Sequence, residues 1–196
     1  MSFDLPLPVK ETLYYMGMKE QNADSELLAL IADCEKEVRE NIEVRFVTDR
    51  VPYTAVEGGN ITAGTLSFTS KELAKNHEGC SETVMFAATL GPKIDMLVKR
   101  YQKINLTRAV VFNAVAITAI EAYCDSINNQ IKKNMEAESK NCKPRFSPGY
   151  GDLSITIQKD FLQALNADKT VGLSLSEGNL MIPEKSVTAF IGVSKI

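Results

Sequence analysis

One histidine, His77, is all the sequence holds, so a multi-histidine metal site within one chain is excluded and any histidine-based catalytic machine has a single candidate base. His77 lies in the polar turn "KNHEG" and is expected on the surface. The four cysteines, Cys34, Cys80, Cys124 and Cys142, form no Cys-x-x-Cys pair, which removes the usual spacing for zinc or dithiol chemistry. Cys34 and Cys124 fall on apolar helix positions and read as free buried thiols. No Gly-x-x-x-x-Gly-Lys-Ser/Thr loop is present, and the nearest glycine-rich stretch, "VEGGNITAG", leads into more strand-like sequence. A P-loop and a doubly wound nucleotide fold are therefore not expected.

Charge of one sign is lacking too: 22 Lys and Arg stand against 25 Asp and Glu, with no basic stripe to follow a phosphate backbone. Nucleic acid is not an expected partner. No apolar run reaches the ~18 residues that cross a bilayer, the richest stretch, 109–122, being broken by Asn113. The opening "MSFDLPLPVKETLYYMG" carries Asp4 and two early prolines in place of a signal-peptide core. These features predict a cytoplasmic protein with no membrane partner.

What is present suits one packed core, since 196 residues with 44% hydrophobic content fit one domain spanning 1–196. A short helix is predicted from Lys10 to Met16, ended by Gly17. In "ADSELLALIADCEKEVRENI", Leu27, Ile31, Cys34, Val38 and Ile42 form one apolar stripe, capped by Asp24 or Ser25. Residues 44–68 alternate as short strands around Gly58-Gly59 and Gly64, and "SKELAKN" reads as a brief helix. A buried strand, Thr83 to Thr89, turns at Gly91-Pro92 into a helix ending near Tyr101. The longest helix runs from about Leu106 to Met135 on the spacing of Ile117, Ile120, Cys124, Ile127 and Ile131, and a polar patch ends it. "SITIQKDFLQAL" predicts a helix, Val171, Leu173 and Leu175 a strand, and Val187 to Val193 a final strand. Without regular βαβ alternation, the fold class is α+β: a mainly antiparallel twisted sheet with packed helices, one of them long and central.

"CKPRFSPGYGD", 142–152, stands out among these elements. Arg145, Gly149 and Tyr150 place a planar cation, a gap for close backbone approach and an aromatic face within six residues, a set suited to a zwitterionic, partly aromatic small molecule. Pro144 and Pro148 restrict the backbone and reduce the entropy lost on binding. The plainer reading of the same residues is a turn whose tyrosine plugs the core and whose arginine meets a surface acid. Glu121, at the edge of the long helix's apolar seam, could face a ligand's ammonium or sulfonium charge.

"RFSPGYGD" followed by "LSEGNLMIPEKSVTAFIG" resembles the reactivation domain of cobalamin-dependent methionine synthase. Arg145, Gly149 and Tyr150 match that family's Arg-x-x-x-Gly-Tyr. Leu175, Ser176, Glu177, Met181, Pro183, Ser186 and Val187 match its downstream run, and Ile120-Glu121-Ala122 its helix motif. The resemblance implies that the chain binds S-adenosylmethionine and docks over a cobalamin in the inactive cob(II) state. A flavodoxin- or ferredoxin-type reductant then supplies an electron, and the methyl group of S-adenosylmethionine traps the cob(I) form. It further implies that Arg145 holds the ligand carboxylate as a forked pair, Gly149 keeps the wall open and backbone near Ser147 hydrogen-bonds the ligand. Tyr150 would line the pocket near the reacting methyl, with Glu121 acting electrostatically near the positive end.

The homocysteine, folate and cobalamin modules have no counterpart. The cobalamin-binding Asp-x-His-x-x-Gly pattern fails at Lys75 and Cys80, so cobalamin would come only through a partner. The C-terminal aromatic contacts of longer family members have no match before Ile196, and their N-terminal aspartate has only Asp4 and Asp24 as candidates. The expected function is a free-standing activator acting on a separate cobalamin-bearing methionine synthase. The alternatives are a docking module that makes no use of S-adenosylmethionine, and an activator of another corrinoid methyltransferase system.

Overall fold

In the computed structural model, residues 4–195 are described, Glu20 in its backbone only; Ile196 and the first three residues, with the beginning of the stretch read for a signal peptide, lie outside the described residues. Helix α1, Val9–Tyr15, is followed by α2, Ser25–Asn41, whose first turn is capped by Asp24 Oδ1 accepting from Leu27 N at 2.8 Å. Ile31, Cys34 and Val38 on its predicted stripe are buried. Strands β1, Arg45–Val56, β2, Asn60–Ala63, and β3, Leu66–Thr69, come next, with the short α3, Lys71–Asn76, after them. β4, Glu82–Thr89, leads through Gly91 into α4, Pro92–Ile104. The dominant element is α5, Leu106–Ala137, about 48 Å long at 1.5 Å per residue. β5, Lys140–Cys142, precedes α6, Gln158–Ala164, and α7, Ala167–Thr170. A two-stranded ribbon of β6, Ser174–Leu175, and β7, Met181–Ile182, then leads to the last strand, β8, Ser186–Lys195.

Six strands form one sheet in the order β3-β2-β1-β4-β8-β5, and every neighbouring pair is antiparallel. β1 serves two partners: residues 45–52 pair with β4 and residues 53–56 with β2. Pro52, which has no N–H to give, stands at the change of partner.

Both faces of the central strands are covered. On β4, Val84, Phe86 and Ala88 join α1, α2, α4 and α5 in one core, while Met85 and Ala87 join α6, α7 and the 153–173 region in a second. β8 divides the same way, with Ala189, Ile191 and Val193 on the first side and Phe190 on the second. Period-two geometry thus gives uninterrupted burial along β4, because each face has its own core. The small residues of α5, Ala109, Ala114, Ala116 and Ala119, are buried against its neighbours.

Four expectations need correction. α5 is long and apolar enough, by length and composition, to cross a bilayer; 56% of its most apolar window is buried inside this fold, where it is the main core helix. The polar stretch after α5 contains β5, an edge strand paired to β8 through Lys140–Lys195, Asn141–Ser194 and Cys142–Val193. Its polar composition is what an edge tolerates. Val171 and Leu173 are buried, yet only Ser174–Leu175 is strand: α7 and Gly172, at φ +74°, make the alternation a turn.

The fourth concerns His77, which is 1% exposed. Its ring packs 4.9 Å from that of Tyr53, and its Nε2 lies 3.1 Å from Thr83 Oγ1. Its Nδ1 lies 2.9 Å from Asn76 Oδ1, an acceptor, and the Thr83 hydroxyl stands within reach of both His77 Nε2 and, at 3.2 Å, Ile191 O. Gly192 makes the room: a Cβ there would stand 2.8 Å from Cys80 Sγ and 2.9 Å from two carbons of the His77 ring. Gly192→Ala is expected to lower stability by about 1–2 kcal/mol through overpacking, read as a lower urea midpoint at unchanged slope.

Candidate functional site

The 142–152 elbow is tied down at both ends. Phe146 exchanges two 2.9 Å backbone hydrogen bonds with Phe190 of β8. At the far end Asp152 caps α3, accepting from Ser70 Oγ at 2.5 Å, Lys71 N at 2.7 Å and Glu72 N at 3.2 Å. These bonds, Ser70's first, hold the Asp152 carboxyl below its ordinary pKa. Between the anchors, Gly149 N donates to Leu153 O at 2.8 Å and Tyr150 N to Ser147 O at 3.1 Å. Gly149 at φ +91° and Gly151 at φ +51° take backbone conformations costly for other residues.

This elbow, the edge of α5, the start of α6, β7 and the start of β8 enclose a cavity of about 410 Å³. Arg145, Ser147, Tyr150 and Glu121 all line it, so four of the five sequence-predicted site residues meet in one place. Gly149 does not line it: a Cβ there would meet Ile155 Cδ1 at 3.3 Å, and its requirement for glycine comes from its φ. Tyr150 is 70% exposed, which removes the reading in which it plugs the core.

Arg145 reaches across to α5. Its Nη2 donates to Asp125 Oδ1 at 2.7 Å and lies 3.4 Å from Glu121 Oε2. Both carboxylate contacts fall on one nitrogen, leaving the other guanidinium hydrogens free of a carboxylate. One positive and two negative groups leave a local excess of negative charge, favourable to a cationic group on a ligand. Cys124, between the two acids in sequence, is buried; burial pushes its thiol up to about 12, against the pull of Arg145. At neutral pH it is a protonated packing group and no nucleophile.

Sequence reasoning missed several members. Asp125 is the stronger partner of Arg145, yet it sits on the exposed side of α5 with nothing in its neighbours to mark it. Gln158 and Thr188 line the cavity as a buried polar pair, Thr188 Oγ1 donating to Gln158 Oε1 at 3.0 Å. Met181 is delivered by the β6–β7 ribbon, and Glu184, two residues past its end, donates its backbone N–H to Asp95 Oδ2 of α4 at 2.5 Å. Tyr15 of α1 lies beside the rim: its phenol is raised in pKa first by burial, then by the nearby Glu121. Of the N-terminal acids, Asp24 is engaged as the cap of α2.

No family model matches this sequence, and no curated protein matches it. The crystal structure of the MetH reactivation domain bound to AdoHcy does match in three dimensions, with a TM-score of 0.69 over 93% of this chain and 73% of that one. The fold is that of the MetH reactivation domain. At 17% identity the likeness is one of architecture: the six-stranded antiparallel sheet, the long helix and their order along the chain.

Proposed function

We propose that the cavity beneath the elbow binds S-adenosylmethionine, and that the chain is an activator supporting reductive methylation of cob(II)alamin on a separate cobalamin-dependent methionine synthase. One observation carries the reading: on a fold shared with a domain crystallised with AdoHcy, Arg145, Ser147, Tyr150 and Glu121 converge on a cavity of about 410 Å³. That volume lies within the ~300–1,000 Å³ of small-molecule sites.

The residues fit such a ligand. S-adenosylmethionine, when bound, supplies a methyl group activated by a sulfonium. The unshared hydrogens of Arg145 would take its carboxylate as a fork. Glu121 would place negative charge beside the cationic end, and the exposed ring of Tyr150 would cover the ligand on the side open to a partner. Phe146, Ile155 and Val187 provide apolar wall. The corrinoid and the electron would come from other proteins, the latter a flavodoxin- or ferredoxin-type donor.

The Arg145–Asp125 pair is the observation that favours the second reading, since a cavity whose cation is already engaged suits a docking module that dispenses with the ligand. A reconstitution separates the two. The chain is added to a cobalamin-bearing methionine synthase lacking its own reactivation domain, with reductant, and cob(II)alamin absorbance is followed with and without S-adenosylmethionine. Loss of cob(II) that requires both the chain and S-adenosylmethionine supports the activator. Association with the synthase but no ligand-dependent change supports the docking module, and success only with a different corrinoid protein assigns the chain to another methyltransferase system.

A further inference from the structure

Gln158 is a polar side chain that is 1% exposed, and it forms part of the cavity wall. It opens α6, so its position is set by the turn that follows the elbow. Thr188 reaches it from β8, which the Phe146–Phe190 pairing holds against the same elbow. The Thr188 hydroxyl, 3% exposed at the residue level, donates to Gln158 Oε1 and so fixes which end of the carboxamide is used up. The amide nitrogen has no hydrogen-bond partner among the described residues. It is also not one of the sealed polar atoms, which among the described residues are Tyr53 OH and Asp95 Oδ1, so the cavity is the space it opens on. A second donor stands nearby: Ser147 lines the cavity, and its backbone N–H makes no hydrogen bond among the described residues.

An unpaired buried amide N–H₂ costs free energy unless something accepts from it. With its oxygen turned to Thr188, Gln158 has its amide hydrogens left to give, and its cavity neighbours Phe146, Ile155, Met181 and Val187 are apolar. A flat ring bearing an uncharged acceptor nitrogen satisfies both demands. Building on the S-adenosylmethionine reading, we propose that Gln158 is a specificity-determining residue of this cavity, presented by Thr188 so that it donates a hydrogen bond to an acceptor nitrogen of the ligand's nucleobase.

The test uses the full chain and S-adenosylhomocysteine as the calorimetric probe. Gln158→Met keeps the length and removes the donors; Gln158→Glu keeps the Thr188 contact and turns an acceptor toward the ligand. Relative to the unaltered chain, the Met variant is expected to bind about tenfold more weakly and the Glu variant more weakly still. Equal or tighter binding by either, with wild-type binding intact, overturns the role of Gln158 and leaves the ligand reading standing. Absence of binding by the folded wild-type chain, to this probe and to S-adenosylmethionine, overturns both. A measurement on the unaltered chain guards against misfolded variants: the side-chain amide protons of Gln158 should shift in NMR spectra and exchange more slowly when the probe is added. Amide signals unmoved at saturation would contradict the proposal.

Discussion

Replacing Arg145 with alanine is expected to weaken S-adenosylmethionine binding by on the order of 2–4 kcal/mol, roughly 30- to 1,000-fold in Kd. The magnitude follows from position: the side chain is 23% exposed and lines the cavity, so a carboxylate held there is largely desolvated and loses a forked, charged pair. The fold should tolerate the change. Asp125 is left facing water, with 66% of its side chain exposed, and exposed ion pairs contribute about 0–1 kcal/mol. Arg145→Lys keeps the charge without the fork and should fall between. Asp125→Asn removes the competing acid and should leave binding unchanged or tighter. Calorimetry on the four chains, with matched thermal midpoints, checks the series; an Arg145→Ala variant that binds like wild type would take the guanidinium out of the site.

His77 makes stability fall as the pH drops through a defined window. Burial, then the charge of Lys143, lowers its pKa from 6.5 to about 4. Between those values the unfolded chain binds a proton that the folded chain refuses, so stability rises with pH across the interval and is constant in this respect above about 6.5. At 1.36 kcal/mol per pH unit the loss on acidification to pH 4 amounts to about 3 kcal/mol. His77→Leu gives up the bonds to Thr83 and Asn76 and should be less stable at pH 7. Its stability should nevertheless fall about 3 kcal/mol less than wild type's between pH 7 and pH 4. Parallel urea-midpoint profiles for the two chains would show that the ring is accessible to protons in the folded state.

Much of this architecture is legible in local sequence because local sequence causes it. The stripe Ile31, Cys34, Val38 and the capping Asp24 fix α2, and the three-and-four spacing through Ile131 fixes α5. The elbow announces itself by composition, since Gly149 and Gly151 mark backbone that other residues avoid. What stayed hidden depends on pairings across the chain. His77 looks solvated among "KNHEG" because its burial needs Gly192, more than a hundred residues later, to leave a gap in β8. Gln158 becomes a cavity donor only when Thr188, thirty residues on, takes its oxygen. Asp125 is unremarkable until the elbow brings Arg145 over it. Gly149 has a local backbone need of its own, its φ of +91° calling for glycine whatever the cavity holds.

The central claim is that the cavity beneath the elbow is a ligand site and not merely a seam between β8, α5 and α6. Isothermal titration of the purified chain with S-adenosylmethionine tests it most directly. Saturable one-to-one binding, weakened by Arg145→Ala, is the predicted result. No heat and no thermal shift at millimolar ligand, from a chain whose cooperative unfolding shows it to be folded, would contradict it.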